Sequence, residues 1–414
     1  MRRIYTSIDI GTDTIKVVVC ELYNERINLL ASSSTKSRGI KRGLITDYDE
    51  AATSLRMAIE EIETKLGIKI KEVLATVPSY NSYFELIYGN VNINSENSIV
   101  TSEDVVNVLQ QGIKNEEVNM EMVTIIPINF ALDDKLIVSD PKGKVAKRLT
   151  SRAVIVTTPN KNVYSVMKLL EKCGLEPIDI AISGICDMQT FKNKDIEDKI
   201  GCIINIGSET TTISLYNKSI IIKNKVIEIG GKTIDNDLSY IYKTSMIEAK
   251  KVKEKFAVAI TKNASVSDLY DLVTENGQIV KVNQNEISEI VNARLEEIFG
   301  TIKKEMLTMA QKELDYIIIT GGTSNIMYLE KMARDIFGPR VSVGKSNIIG
   351  VRNNKYSTCM GNILYYINKQ KLKGDNEGML NGQELENLSS TKKNILKFSN
   401  ESMLGKVTQY FFGE

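Results

Sequence analysis

The 414-residue sequence contains no histidine and no tryptophan. Without histidine, a Ser-His-Asp triad, a Cys-His nucleophile pair and a histidine-ligated zinc site are all excluded. The five cysteines (Cys20, Cys173, Cys186, Cys202 and Cys359) are isolated, with no C-x-x-C. Neither a disulfide framework nor a cysteine metal site is expected, and a reducing cytosol fits. Neither sign of charge predominates: 53 Lys+Arg face 52 Asp+Glu, a formal net charge of +1, which argues against a surface built for nucleic acid. No run of about 18 apolar residues occurs, so no membrane-spanning helix is expected. Arg2 and Arg3 are followed by only a few apolar residues before Asp9, which is not a signal-peptide pattern. What is present is ordinary globular usage, 42% hydrophobic and 25% charged. At roughly 100–200 residues per domain, the length predicts two to four folded units.

Two turns stand out. Ile4–Ile10 is a β-rich run that ends in Gly11-Thr12-Asp13-Thr14 and resumes as Ile15-Lys16-Val17-Val18-Val19. Cys202–Ile206 ends in Gly207-Ser208-Glu209-Thr210 and resumes as Thr211–Tyr216. Asp9 and Asn205 occupy corresponding places 196 residues apart, and both second runs end in Leu-Tyr-Asn, at 22–24 and 215–217. Such self-similarity predicts two related α/β halves. Either turn alone could be a plain hairpin. In such turns glycine lets successive N–H groups converge on one anion and the hydroxyls add donors, while the Asp before Gly suits a hydrated Mg²⁺ shared with phosphate. A third segment, Tyr316–Thr320 followed by Gly321-Gly322-Thr323, reads as a buried strand, a glycine turn and a helix start. Together the three point to a nucleotide held between two halves.

The order Asp9-x-Gly11-Thr12, Asn205-x-Gly207-x-x-Thr210, Gly230-Gly231 and Thr320-Gly321-Gly322 resembles the actin, Hsp70 and sugar-kinase superfamily. Within it the chain is similar to the FtsA family of bacterial cell-division proteins, on Ser37–Asp47, on Ile125-Ile126-Pro127 and on Asp140-Pro141-Lys142-Gly143. The resemblance implies an α/β, actin-like fold of duplicated ribonuclease-H-like halves, with an inserted 1C subdomain and a C-terminal amphipathic helix. It implies ATP and Mg²⁺ as cofactors. Asp9 would face the metal. Gly11, Thr12, Asp13, Thr14, Gly207, Ser208, Glu209, Thr210, Gly230, Gly231, Lys250, Lys253, Gly321, Gly322 and Thr323 would line the nucleotide.

The site departs from the family's pattern. The small residue and Lys expected after Thr12 are Asp13 and Thr14, and Asp13 repels a triphosphate unless a cation intervenes. The second Asp is Asn205, which lacks a carboxylate to hold metal-bound water or orient an attacking one. Glu209 carries the wrong sign for phosphate, though it could face metal. The Glu expected on the ribose is Lys250, which cannot accept a hydroxyl proton, while Lys253 is retained. The expectation is ATP binding with slow turnover or none.

The domains read as discontinuous: 1–78, 159–185 and 348–372 form subdomain 1A; 79–158 the insert 1C; 186–233 and 310–347 subdomain 2A; 234–309 subdomain 2B. Helices are expected near 51–67, with an apolar stripe of Ala52, Leu55, Ile59, Ile62 and Leu66, from a cap at Thr101, over 161–171 and over 286–309. On the last, Arg294 stands at the polar margin. The family uses an Arg there on the C-terminal peptide of FtsZ, an acidic ligand suited to a guanidinium fork. Pairing with Glu297 or Glu289 is the structural alternative.

Residues 373–394 have linker composition, and about twenty such residues span roughly 25 Å as a coil. Residues 395–414 read as an amphipathic helix that lies in a membrane interface, through Phe398, Met403, Leu404, Lys406, Val407, Tyr410, Phe411 and Phe412. The expected function is to tether FtsZ filaments to the inner face of the cytoplasmic membrane at the division site. Self-association into filaments would multiply weak anchors by avidity. Late division proteins would bind through 1C, and no nucleic acid would bind. Two alternatives are a pilus-assembly actin-like adaptor and a sugar-kinase-type phosphotransferase; the latter needs a general base that Asn205 does not supply.

Overall fold

A computed structural model describes residues 2–95, 97–113, 118–310, 312–348, 350–375, 377–380 and 388. The chain opens with three antiparallel strands, β1 (Arg3–Ile10), β2 (Thr14–Tyr23) and β3 (Arg26–Lys36). β1 and β2 are buried along most of their length because the sheet is covered on both faces. Ile8, Val17 and Val19 pack on one side, Tyr5, Val18 and Cys20 on the other. A short hairpin of β4 (Ile40–Lys41) and β5 (Leu44–Ile45) follows, its turn formed by Arg42 and Gly43, both at positive φ, as a two-residue hairpin turn requires. Asp47 caps α1 (Tyr48–Leu66) by accepting from Asp49 and Glu50 N–H, and Gly67 ends it at φ 67°. All five residues of the expected α1 stripe are buried. β6 (Glu72–Val77) then joins β1 in parallel.

The chain next leaves this sheet to build a second one from β7 (Tyr83–Asn92), β8 (Met120–Leu132), β9 (Leu136–Val138) and β10 (Arg148–Pro159), in the order β7-β10-β8-β9. One helix, α2 (Ser102–Gln111), covers it, started by a reciprocal capping box between Thr101 and Asp104. Val105, Val108, Phe130, Leu132 and Leu149 give this piece a core of its own. The chain returns through α3 (Asn160–Lys172) to β11 (Glu176–Ile182), parallel to β6.

Helix α4 (Ser183–Phe191) leads into the second half. There β12 (Ile200–Ile206), β13 (Thr211–Asn217) and β14 (Ile220–Ile227) repeat the antiparallel opening. α5 (Lys232–Tyr242), α6 (Met246–Lys255), a hairpin of β15 (Leu269–Val273) and β16 (Ile279–Asn283), and the long α7 (Gln284–Met309) follow. β17 (Tyr316–Thr320), α8 (Leu329–Phe337) and β18 (Val341–Val343) complete the sheet. The sheet orders β11-β6-β1-β2-β3 and β18-β17-β12-β13-β14 match strand for strand, with the same parallel and antiparallel senses. The duplication expected from the repeated turns is therefore topological. Asp9 and Asn205 are each the penultimate residue of the first strand.

Finally α9 (Ser357–Lys373) returns to the first sheet and crosses α4. The crossing is tight at Gly361, where a Cβ would stand 1.7 Å from the Cys186 carbonyl oxygen. Beyond Gly374 the chain stays docked for a few residues: the Met379 N–H donates to the Ile4 carbonyl at 3.0 Å, and the Glu377 carbonyl accepts from Tyr5 Oη at 3.2 Å. Leu388 is 2% exposed and packs with the core of the first half. The early part of the segment expected to be a free linker is thus held by the fold, because Met379 and Leu388 supply apolar side chains that its polar composition conceals.

Candidate functional site

The first strands of the two sheets end facing each other across a cavity of about 490 Å³. Of the expected site residues, Asp9, Gly11, Thr12, Asp13, Thr14, Gly207, Ser208, Thr210, Lys250, Lys253, Gly321, Gly322 and Thr323 line it. Glu209, Gly230 and Gly231 stand just outside the lining and shape it from behind. Gly231 N–H donates to the Gly207 carbonyl at 2.9 Å, and Thr323 Oγ1 donates to the same oxygen at 3.1 Å. The two outer turns are thereby fixed to the middle one. Side chains at these glycines would fill the cradle: a Cβ would lie 2.5 Å from the Ser208 carbonyl at Gly230 and 2.3 Å from Thr323 Oγ1 at Gly231. At Gly321, held at φ 89°, it would lie 2.5 Å from Asn205 Oδ1.

Three of the cavity's carboxylates each have a lysine beside them, and the fourth, Glu254, shares Lys250 at 3.8 Å. Asp9 Oδ2 pairs with Lys16 Nζ at 2.9 Å, and Oδ1 accepts from Thr76 Oγ1 at 3.1 Å. Asp13 Oδ2 pairs with Lys250 Nζ at 2.5 Å across the cleft. Asp235 pairs with Lys253 at 2.7 Å, both side chains less than a tenth exposed, and Lys253 also donates to the Gly231 carbonyl. Burial alone would lower the Lys16 pKa, but the adjacent Asp9 carboxylate outweighs it and the net shift is upward. The Asp235 carboxyl is raised by burial despite its lysine.

Sequence reasoning missed Lys16. The antiparallel register places it opposite Asp9, and the alternation Thr14, Lys16 along β2 was the signal that could have found it. It supplies the cation whose absence was inferred at position 14. Glu209 turns to Lys232 at 2.5 Å and to the Arg42 N–H at 2.8 Å, so it serves the junction with the β4–β5 hairpin. That hairpin also reaches the first turn: Gly43 N–H donates to Thr12 Oγ1 at 2.7 Å, and Arg42 pairs with Glu228. The Ser37–Asp47 segment is thus a bridge between the halves at the mouth of the cleft.

A second, shallower groove runs between α5 and α7, lined by Asp237, Tyr240, Ile241, Glu289, Ile290, Ala293, Arg294 and Glu297. Arg294 engages Asp237 with two nitrogens, at 2.5 and 2.9 Å, and Glu297 with the third at 2.6 Å. Tyr240 beside it is 86% exposed and Ile241 52%. Glu289 is taken by Asn285 instead.

Family models match two segments: "Cell division protein FtsA" covers residues 202–361 and "SHS2 domain inserted in FTSA" residues 83–157, the latter being the inserted sheet with α2. The chain belongs to the FtsA family of cell division proteins. Among FtsA relatives, that of Streptococcus pneumoniae is 29% identical over 355 residues, 85% of this chain and 78% of its own length. That of Bacillus subtilis is 28% identical over 377 residues, 90% and 85%. Solved structures share the fold at low identity: a PilM–PilN type IV pilus biogenesis complex (TM-score 0.59, 13% identity, 87% of this chain and 98% of that one). MreB5 of Spiroplasma citri bound to ADP gives a TM-score of 0.55 at 15% identity, covering 90% and 98%. The fold is actin-like, with the FtsA-type insert, as the sequence motifs implied.

The FtsA family members' expected amphipathic tail, with Phe398, Met403, Leu404, Lys406, Val407, Tyr410, Phe411 and Phe412, lies outside the described residues. Among the described residues no helix is long and apolar enough to cross a membrane.

Proposed function

We propose that this FtsA-family chain is a nucleotide-loaded adaptor that tethers FtsZ filaments to the inner face of the cytoplasmic membrane. The observation that carries the nucleotide part is the pair of duplicated glycine turns facing one cavity, with backbone where side chains cannot fit. Lys16, Lys250 and the hydroxyls of Thr12 and Thr323 suit a phosphate chain. Among the described residues no three His, Cys, Asp or Glu side chains cluster to hold a metal. A Mg²⁺ would therefore take phosphate oxygens and waters beside Asp9, which is how this ion is usually held. A neighbour of the same fold, MreB5, was solved with ADP.

The α5–α7 groove suits an acidic peptide with apolar side chains. Arg294 can exchange Asp237 for a peptide carboxylate, while Tyr240 and Ile241 offer exposed apolar surface. The C-terminal segment supplies the membrane contact, and self-association multiplies it. Late division proteins would dock on the inserted subdomain. A sugar-kinase reading is weaker, since Asn205 gives its amide nitrogen to Asp187 at 2.7 Å and provides no base.

The test is recruitment of FtsZ filaments to anionic lipid vesicles by the full chain, with and without ATP·Mg²⁺. Recruitment that needs residues 391–414 supports the reading; filaments that stay in solution refute it.

A further inference from the structure

Asp187 sits on α4 at its crossing with α9 and is 1% exposed. Three neutral donors satisfy its carboxylate. Asn205 Nδ2 donates to Oδ2 at 2.7 Å; Ser357 Oγ and Thr358 Oγ1 donate to Oδ1, each at 3.0 Å. Asn205 Nδ2 gives its other hydrogen to Thr358 Oγ1 at 3.2 Å. Asn205 lines the cavity and Asp187 does not. With both N–H bonds committed behind it, the Asn205 amide has one polar atom left for the cleft. That atom is Oδ1, the one a Cβ at Gly321 would touch.

We propose that Asp187 is a positioning residue that locks Asn205 with its carbonyl oxygen toward the nucleotide. The inference rests on the nucleotide reading above. A free amide offers either a donor or an acceptor, since its two ends have nearly the same shape. Only an acceptor suits the waters around a phosphate-bound cation, whereas an N–H turned into the cleft would repel them. Asp187 removes the choice. In the first half, Asp9 presents a charged acceptor at the corresponding strand position. In the second half the carboxylate is recessed one layer, behind an amide, and the group facing the cleft is neutral. Asp187, Asn205 and Thr358 come from α4, β12 and α9, so the same three hydrogen bonds connect the crossing of the two helices to the site.

The test exchanges the pair in the full-length protein. Asn205→Asp alone would press two carboxylates together, Asp187→Asn/Asn205→Asp would restore one acid and one amide in reverse order. Two quantities are measured for each: the thermal unfolding midpoint without nucleotide, and affinity for a fluorescent ATP analogue in Mg²⁺ and in EDTA. The single variant is expected to unfold at lower temperature and to bind the analogue more weakly. The exchange is expected to recover the wild-type midpoint and to raise the ratio of affinity in Mg²⁺ to that in EDTA by about 10–100-fold, the usual range for outer-shell changes at a metal. The proposal is overturned if Asn205→Asp is as stable as wild type, or if the exchange leaves the Mg²⁺ ratio unchanged. A wild-type chain that takes up no analogue in either condition overturns the nucleotide reading instead, and the midpoints still decide whether the two side chains are paired.

Discussion

Lys250 Nζ lies 2.5 Å from Asp13 Oδ2, joining α6 of the second half to the first turn of the first half across the cleft. Both residues were expected from the sequence to depart from the family's pattern, and in the structure each is the other's partner. Asp13 no longer faces incoming phosphate as an isolated negative charge, and Lys250 has a carboxylate to hold it. Burial would lower the Lys250 pKa, but Asp13, with Glu254 and Asp235 adding to it, makes the net shift upward. Reversing either charge, by Asp13→Lys or Lys250→Asp, should loosen the mouth of the cleft. Both side chains are about a third exposed, so the pair is worth about 0.2–1 kcal/mol. Release of a fluorescent ATP analogue, followed by stopped flow, should quicken by about 2–5-fold in each single variant. It should return to the wild-type rate in the double reversal. Equal rates in all four proteins would mean the pair does not gate the cleft.

Arg294→Ala removes the fork that holds Asp237 and Glu297 at the edge of the α5–α7 groove. These partners are partly or largely exposed, so stability should fall by no more than about 1 kcal/mol. Affinity for an FtsZ C-terminal peptide, measured by fluorescence anisotropy, should fall by at least about tenfold, the cost of one charge-assisted fork. Peptide binding that survives the substitution would place the contact elsewhere on the molecule.

Asp187 makes stability depend on pH. Burial raises its carboxyl from the ordinary 3.8 to about 6, against the lowering effect of the hydrogen bonds from Asn205, Ser357 and Thr358. Between about pH 4 and 6 the folded chain keeps a proton that the unfolded chain has lost. Its contribution therefore favours folding below 3.8 and is lost as pH rises through about 6. The full effect is of order 2–3 kcal/mol. Urea unfolding of Asp187→Asn across this window should show a flatter pH dependence than wild type. The same slope in both proteins would assign the effect to another group.

Leu388 contributes to the folded core from within a segment whose composition reads as linker. A chain ending at residue 390 should unfold like the full-length protein yet fail to sediment with anionic vesicles. One ending at residue 380 should lose, in addition, about 1.5–3 kcal/mol from the exposed leucine site. Calorimetry and vesicle sedimentation on the two truncations separate the effects.

The fold was legible where a local pattern carried it. The repeated turns at Asp9 and Asn205 announced the duplicated sheets, and the α1 stripe and the Thr101 cap gave helices close to those observed. The β15–β16 hairpin, inside the 234–309 stretch where only the helix over 286–309 was expected, went unread, since five-residue strands leave little periodicity. The site was legible as a set of backbone turns but not as a set of charges. The pairs Asp13–Lys250 and Arg42–Glu209 join residues 237 and 167 positions apart, and nothing in the spacing of either partner announces the other. Asp187 was invisible for the same reason: its role exists only where α4, α9 and β12 meet.

The hydrogen bond from Met379 to Ile4 has a mechanical consequence. Once Leu388 has been pulled from the core, a load drawn along the chain enters the globule beside β1, at the opposite end of that strand from Asp9. Tension on the tail would therefore be transmitted down the strand that carries the nucleotide turn. A pull on the end of the chain and the shape of the cleft would then be coupled in series, like two links on one rod.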